Sequence, residues 1–131
     1  MAELSKEMKI VLIINAIVAF IYGFFYLIIP DIYRNLVDAP YYDPGMWRSF
    51  GATAFALGIF SLIIIKRAEW EKGKMFFEFA VLWLIAVLIL NIYSFITYPG
   101  SATSKANNAF SIVLLIVLVI YNAYFYYRES K

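Results

Sequence analysis

Four apolar runs, at residues 9–30, 46–65, 75–98 and 109–127, occupy most of this chain. A helix needs about 20 apolar residues to cross the hydrocarbon core of a bilayer, and each run reaches or approaches that length. Little chain is left over for a water-soluble domain. Of all residues 64% are hydrophobic and only 15% charged, whereas soluble domains carry about 25% charged residues. A soluble bundle also needs a polar face on each helix, and none of these runs has a charged face. The expected fold is all-α: one integral membrane four-helix bundle, up-down antiparallel, over residues 1–131.

The segments between the runs refine this layout. The first run ends at Pro30, which cannot continue a helical hydrogen-bond ladder. It exceeds the ~7–15 residues of a signal-peptide core, and no small-residue cleavage site follows, so it is expected to be retained as a span. Ile32, Tyr33, Leu36 and Val37 then recur at helical spacing, which predicts a short interfacial helix in the first outer loop. Asp43 is a good N-cap, and Pro44 suits the first helical position of the second span. Residues 66–74 form a short charged turn, making spans two and three a hairpin. Pro99-Gly100 ends span three, and Ser101 or Ser104 can cap span four.

Basic residues orient the spans. Lys6, Lys9, Lys66, Arg67, Lys72, Lys74, Arg128 and Lys131 fall on one side, while Arg34, Arg48 and Lys105 fall on the other, accounting for all 11. Lys and Arg concentrate on the cytoplasmic side, so both termini are expected there, in the plasma membrane. Aromatic residues make up 20% of the chain. Tyr41, Tyr42 and Trp47 at the outer boundary, and Trp70, Tyr124, Tyr126 and Tyr127 at the inner one, read as interfacial belts.

Several chemistries are excluded at once. The chain has no Cys and no His, which removes disulfides, thiol redox chemistry and imidazole or thiolate metal sites. No metal and no cofactor is expected. A net charge of +2 gives no reason to expect a nucleic acid partner.

Within the spans, polar and small residues gather into stripes at 100° per residue. They are Asn15, Ala19, Tyr22 and Tyr26 on the first span, and Arg48, Gly51, Ala54, Gly58 and Ser61 on the second. The third carries Asn91, Ser94 and Tyr98, and the fourth Asn108, Ser111 and Asn122. Small residues let helices approach closely, and Asn and Ser hydrogen-bond across them. These faces should point inward, with Gly51, Ala54, Gly58 and Ser61 as packing positions. Gly51 and Gly58 would instead form a dimer seam if their face pointed outward.

Two residues stand out. Glu78 lies about 5 Å into span three at 1.5 Å per residue, and carboxylates within a membrane are functional candidates. Asn15 and Asn122 at similar depth form an inner cluster with it, although pairing with Lys74 one turn earlier is the simpler arrangement. Arg48 starts an outer cluster with Asp31, Asp43, Asn91 and Ser94, which can anchor the loop or recognise an anionic group. Asn91 points about 140° away from Glu78 around its helix. The expectation is therefore two polar clusters separated by an apolar middle, not a path through the bundle.

Phe24 to Gly58 resembles the first half of small four-helix membrane proteins of the DoxX-like kind. The shared pattern is a span ending at Pro30, the Tyr41-Tyr42 loop, Arg48-Ser49-Phe50-Gly51 and then Gly58. The resemblance implies the four-helix membrane fold and transfers no catalytic residue. Function is read as non-enzymatic: an accessory subunit, or a bundle holding a lipid-like ligand. Membrane lipids, further copies of the chain or a larger membrane complex are the expected partners. The alternative is a small dimeric ion-coupled transporter using Glu78. Its match to four-span exporters is poor, because their carboxylate lies mid-membrane in the first span. A lipid enzyme using Mg²⁺ on Asp31, Asp38 and Asp43 ranks third, since solvated loop acids explain those residues.

Overall fold

The computed structural model describes residues 3–40, 42–97 and 99–130. Tyr41, Tyr98 and Lys131, assigned above to the outer belt, the third stripe and the basic side, lie outside the described residues. The chain forms α1 (Lys6–Gly23), α2 (Pro30–Val37), α3 (Pro44–Arg67), α4 (Trp70–Thr97) and α5 (Ala102–Glu129), with a π-helical turn at Phe24–Ile28. The all-α expectation holds. Four segments are long and apolar enough to cross a membrane: Lys6–Ile28, α3, α4 and α5.

Local chemistry explains the helix starts. Ser5 accepts from Met8 N at 3.1 Å, Asp43 from Gly45 N at 2.9 Å and Met46 N at 3.2 Å, and Ser101 from Ser104 N at 3.2 Å. Each supplies an acceptor to amides that have no partner within the helix. The π turn precedes Pro30. Ile29 N donates to Phe24 O at 3.3 Å, a wide closure suited to a chain about to meet a ring that excludes a regular α-turn. In α2, Pro30 and Tyr33 are buried, while Ile32 and Leu36 are more than 60% exposed.

Cross-chain contacts define two ends. At the terminal end, Leu4 N donates to Ala68 O at 2.9 Å, Ser5 N to Glu129 Oε1 at 3.0 Å, and Arg128 pairs with Glu7 at 3.3 Å. Leu4, Met8, Val11, Leu12, Ile64, Trp70 and Phe77 fill a tight core there. At the opposite end, Tyr33 Oη in α2 donates to Asn107 in α5 at 3.3 Å.

The surface is the inverse of a water-soluble bundle. Ile17, Ile21, Leu82, Ile89, Leu90, Ile96, Val117 and Ile120 are exposed, while Ser61 and Asn122 are buried. In water the large aliphatic residues would be the ones inside. Beyond the core at the terminal end, small and polar side chains such as Gly51, Ala54, Gly58, Ser61 and Asn122 are among those buried, a pattern by which helices associate in lipid.

Candidate ligand-binding site

The four long helices pack as two close pairs, α1 with α3 and α4 with α5, while α3 and α4 hardly touch. The α1–α3 seam depends on missing side chains. A Cβ on Gly51 would lie 2.5 Å from Leu27 N, and one on Gly58 2.9 Å from the Phe20 ring. Both glycines therefore face α1 and the π turn within one molecule.

The pairs are joined along two lines. On one side, Asn15 of α1 and Asn122 of α5 exchange reciprocal amide hydrogen bonds of 2.6 and 3.1 Å. Asn122 also donates to Leu118 O at 2.8 Å, so this fully buried amide has partners at both ends. On the other side, aromatic rings bridge α3 to α4. Phe50 stacks on Trp83 at 5.7 Å and Phe60 on Phe76 at 5.3 Å. Between those bridges stand small residues, Ala54 on α3 and Ala80 on α4.

This separation leaves a partly open chamber of about 120 Å³ between the pairs. An apolar cavity of ~150 Å³ holds benzene, so a chamber of about 120 Å³ that extends along the helices suits a slender alkyl segment better than a ring. Its lining extends from Asn15 to Tyr26 along α1 and from Phe50 to Ser61 along α3. Either span measures roughly 16 Å at 1.5 Å per residue. The chamber is a slot, and its walls are mostly aliphatic and aromatic.

The polar groups of the slot are not equivalent. Near the terminal end, Asn15 is committed to Asn122, and Ser61 Oγ donates to Leu57 O at 2.9 Å. Toward the α2 end, Tyr22 and Ser111 meet across α1 and α5. Asn91 Nδ2 donates to Val87 O at 2.9 Å. In the amide orientation that satisfies both partners, Asn108 donates to Asn91 Oδ1 at 3.2 Å. The ring of Tyr26 packs against Trp47 at 4.8 Å, Phe50 at 4.9 Å and Tyr33 at 5.3 Å. Its hydroxyl has no hydrogen-bond partner among the described residues.

A second chamber of about 210 Å³ lies at the α2 end and shares Tyr26, Asn91 and Ser111 with the slot. These three stand at the boundary between the two spaces. The second chamber is more polar, lined by Ser94, Ser104, Asn107 and Asn108 and roofed by Val37, Ala39, Pro40 and Trp47. Among the described residues no Asp or Glu lines it. Lys105, at its edge, donates to Phe95 O and lies 5.0 Å above the Phe95 ring.

The sequence candidates thus separate. Asn15, Ala19, Tyr22 and Tyr26 all face the slot, as do Ala54, Ser61, Asn91 and Ser111. Ser94 faces the outer chamber. The middle of the bundle is apolar but not filled. Glu78 is exposed and accepts from Tyr126 Oη at 2.6 Å, apart from the Asn15–Asn122 pair. Arg48 is exposed, Asp43 caps α3, and Asp31 accepts from Tyr42 Oη; none of the three lines either chamber. Partial desolvation, then the hydrogen bond and charge of Asp31, push the Tyr42 phenol above its ordinary range, against Arg48 and Arg34. Those charged groups therefore tie the loop to α2.

Sequence reasoning did not single out the Phe50–Trp83 and Phe60–Phe76 bridges or the unpaired Tyr26 hydroxyl. Aromatic residues at those positions look like ordinary span residues, and nothing in their spacing reports a void.

Fold and site together define an all-helical protein, with four helices of membrane-crossing length and apolarity around a two-chambered interior. Residues 2–128 match the family model described as a domain of unknown function, DUF8292, and the chain belongs to that family. No curated protein matches the sequence, and no solved structure matches the fold.

Proposed function

We propose that this protein is an integral membrane four-helix bundle that binds a lipid-like amphiphile without transforming it. The observation that carries this reading is the pair of joined chambers: an apolar slot of alkyl-chain girth beneath a polar vestibule. The exposed aliphatic surface supports residence in a bilayer, as does the DoxX-like pattern of residues 24–58. The distribution of Lys and Arg supports cytoplasmic termini in the plasma membrane, which opens the vestibule on the outer side. The gap between α3 and α4, held by ring stacks and not by backbone contact, offers a tail a way in from the bilayer. Carrying or presenting such a ligand suits an accessory subunit of a larger membrane complex.

The test is extraction in mild detergent followed by native mass spectrometry. The protein should retain a bound amphiphile, and Ala80→Trp should expel it, because an indole at that wall position occupies the slot. Leu84→Trp, one turn along, should do the same. A wild-type protein stripped of every lipid-like mass under conditions that keep it folded would overturn the reading.

A further inference from the structure

Resting on that binding reading, we propose that the ligand carries an oxygen acceptor where its tail meets its head, and that Tyr26 Oη donates to it. The first argument is saturation. Asn122 and Ser61 spend their donors on Asn15 and on their own helix backbone, and Asn15 gives one of its two amide N–H groups to Asn122, so most donors at the terminal end of the slot are already taken. The second is position. Tyr26 borders both chambers, at the depth where a tail filling the slot gives way to a head in the vestibule. The third is the missing partner. The Tyr26 ring is held among Tyr33, Trp47 and Phe50 while its hydroxyl meets no protein partner among the described residues, and a donor partly withdrawn from water carries a penalty while unpaired. An incoming carbonyl, ester or ether oxygen removes that penalty.

The vestibule narrows the head. Its polar lining is amide and hydroxyl, from Ser94, Ser104, Asn107 and Asn108, with the Lys105 ammonium, which donates to Phe95 O, at its edge and no carboxylate among the described residues. No group in that lining neutralises a cationic head. A polyhydroxyl or glyceryl head on an acyl chain meets hydrogen-bonding groups throughout. The ligand class is therefore an acylated polyol without a cationic group, seated tail toward the chain termini and carbonyl at Tyr26. Tyr26 is a binding residue, and no bond is made or broken.

The test compares two probes, 1-monooleoylglycerol and the plain hydrocarbon octadecene, on the full chain in lipid nanodiscs. For Tyr26→Phe, monooleoylglycerol should bind roughly tenfold more weakly, about 1.4 kcal/mol, with octadecene binding unchanged. Retained octadecene binding also shows that the variant is folded with its slot intact. If Tyr26→Phe binds both probes like wild type while Ala80→Trp excludes both, the slot stands and this inference fails. Equal loss of both probes in Tyr26→Phe also overturns it, because the ring and not the hydroxyl would then matter. If Ala80→Trp changes neither probe, the binding reading itself fails.

Discussion

Replacing Asn122 by Leu tests whether one amide pair holds the two halves of this bundle together. The substitution removes the reciprocal bonds of 2.6 and 3.1 Å to Asn15 and leaves the Asn15 amide facing an apolar slot. Side-chain hydrogen bonds between membrane helices measure about 0.6 kcal/mol on average and about 1.7 at most. Two of them set a coupling of roughly 1–3 kcal/mol. The leftover amide adds its own desolvation cost of about 1–3 kcal/mol to the single variant. Asn122→Leu should therefore destabilise by about 2–6 kcal/mol, and Asn15→Leu by a similar amount. The double variant should cost less than the sum by the coupling energy, because two leucines leave no amide unpaired. Steric trapping in bicelles gives the four free energies of the cycle. Additivity to within about 0.5 kcal/mol would refute the reasoning and would place the α1–α5 attachment elsewhere.

Gly51→Val should separate α1 from α3, because its new carbon would lie 2.5 Å from Leu27 N and 2.9 Å from Tyr26 C, backbone atoms with no room to yield. The expected loss is about 3 kcal/mol, read by the same trapping experiment. Gly45→Ala, whose Cβ meets only Asp43 Oδ1 at 3.3 Å, should stay within about 1 kcal/mol. Glu78→Gln should leave amphiphile binding unchanged and alter stability by no more than about 0.5 kcal/mol, since Gln still accepts from Tyr126. Loss of a proton-coupled flux in that variant would instead favour the transporter reading. The chain has no cysteine, so single cysteines report topology cleanly. In intact cells an impermeant maleimide should label Thr103→Cys and spare Lys72→Cys; the reverse pattern would invert the orientation.

Much of the fold was legible because long apolar runs and their breaks constrain a chain so strongly. Run length set the four long helices, Pro30 and Asp43-Pro44 set their breaks, and the 32–37 pattern set α2. The stripes were legible as well: Asn15, Ala19, Tyr22 and Tyr26 share a face by helical geometry alone. The purpose of that face was not. An inward stripe fits a packed seam and a cavity wall equally, and only the distance between α3 and α4 tells them apart. That distance depends on how Phe50, Trp83, Phe60 and Phe76 interlock, a property of ring volumes and rotamers that has no period. Charge was similarly ambiguous. Glu78 and Arg48 drew notice for their place in apolar runs, yet both are exposed toward helix ends, where a long side chain keeps its charge in water. The residues with the strongest sequence signal therefore frame the site without lining it.

The central claim is that an amphiphile lies lengthwise between the two helix pairs, and photolabelling tests it most directly. Monooleoylglycerol carrying a diazirine near the tail tip should, after irradiation in nanodiscs, label the terminal end of the slot around Asn15, Ser61 and Leu118. A diazirine beside the carbonyl should label Tyr26, Asn91 and Ser111 at the boundary between the chambers. Labels confined with both probes to the outward-facing Leu82, Ile89, Ile96 and Ile120 would mean that the acyl chain only bathes the protein, and would contradict the account.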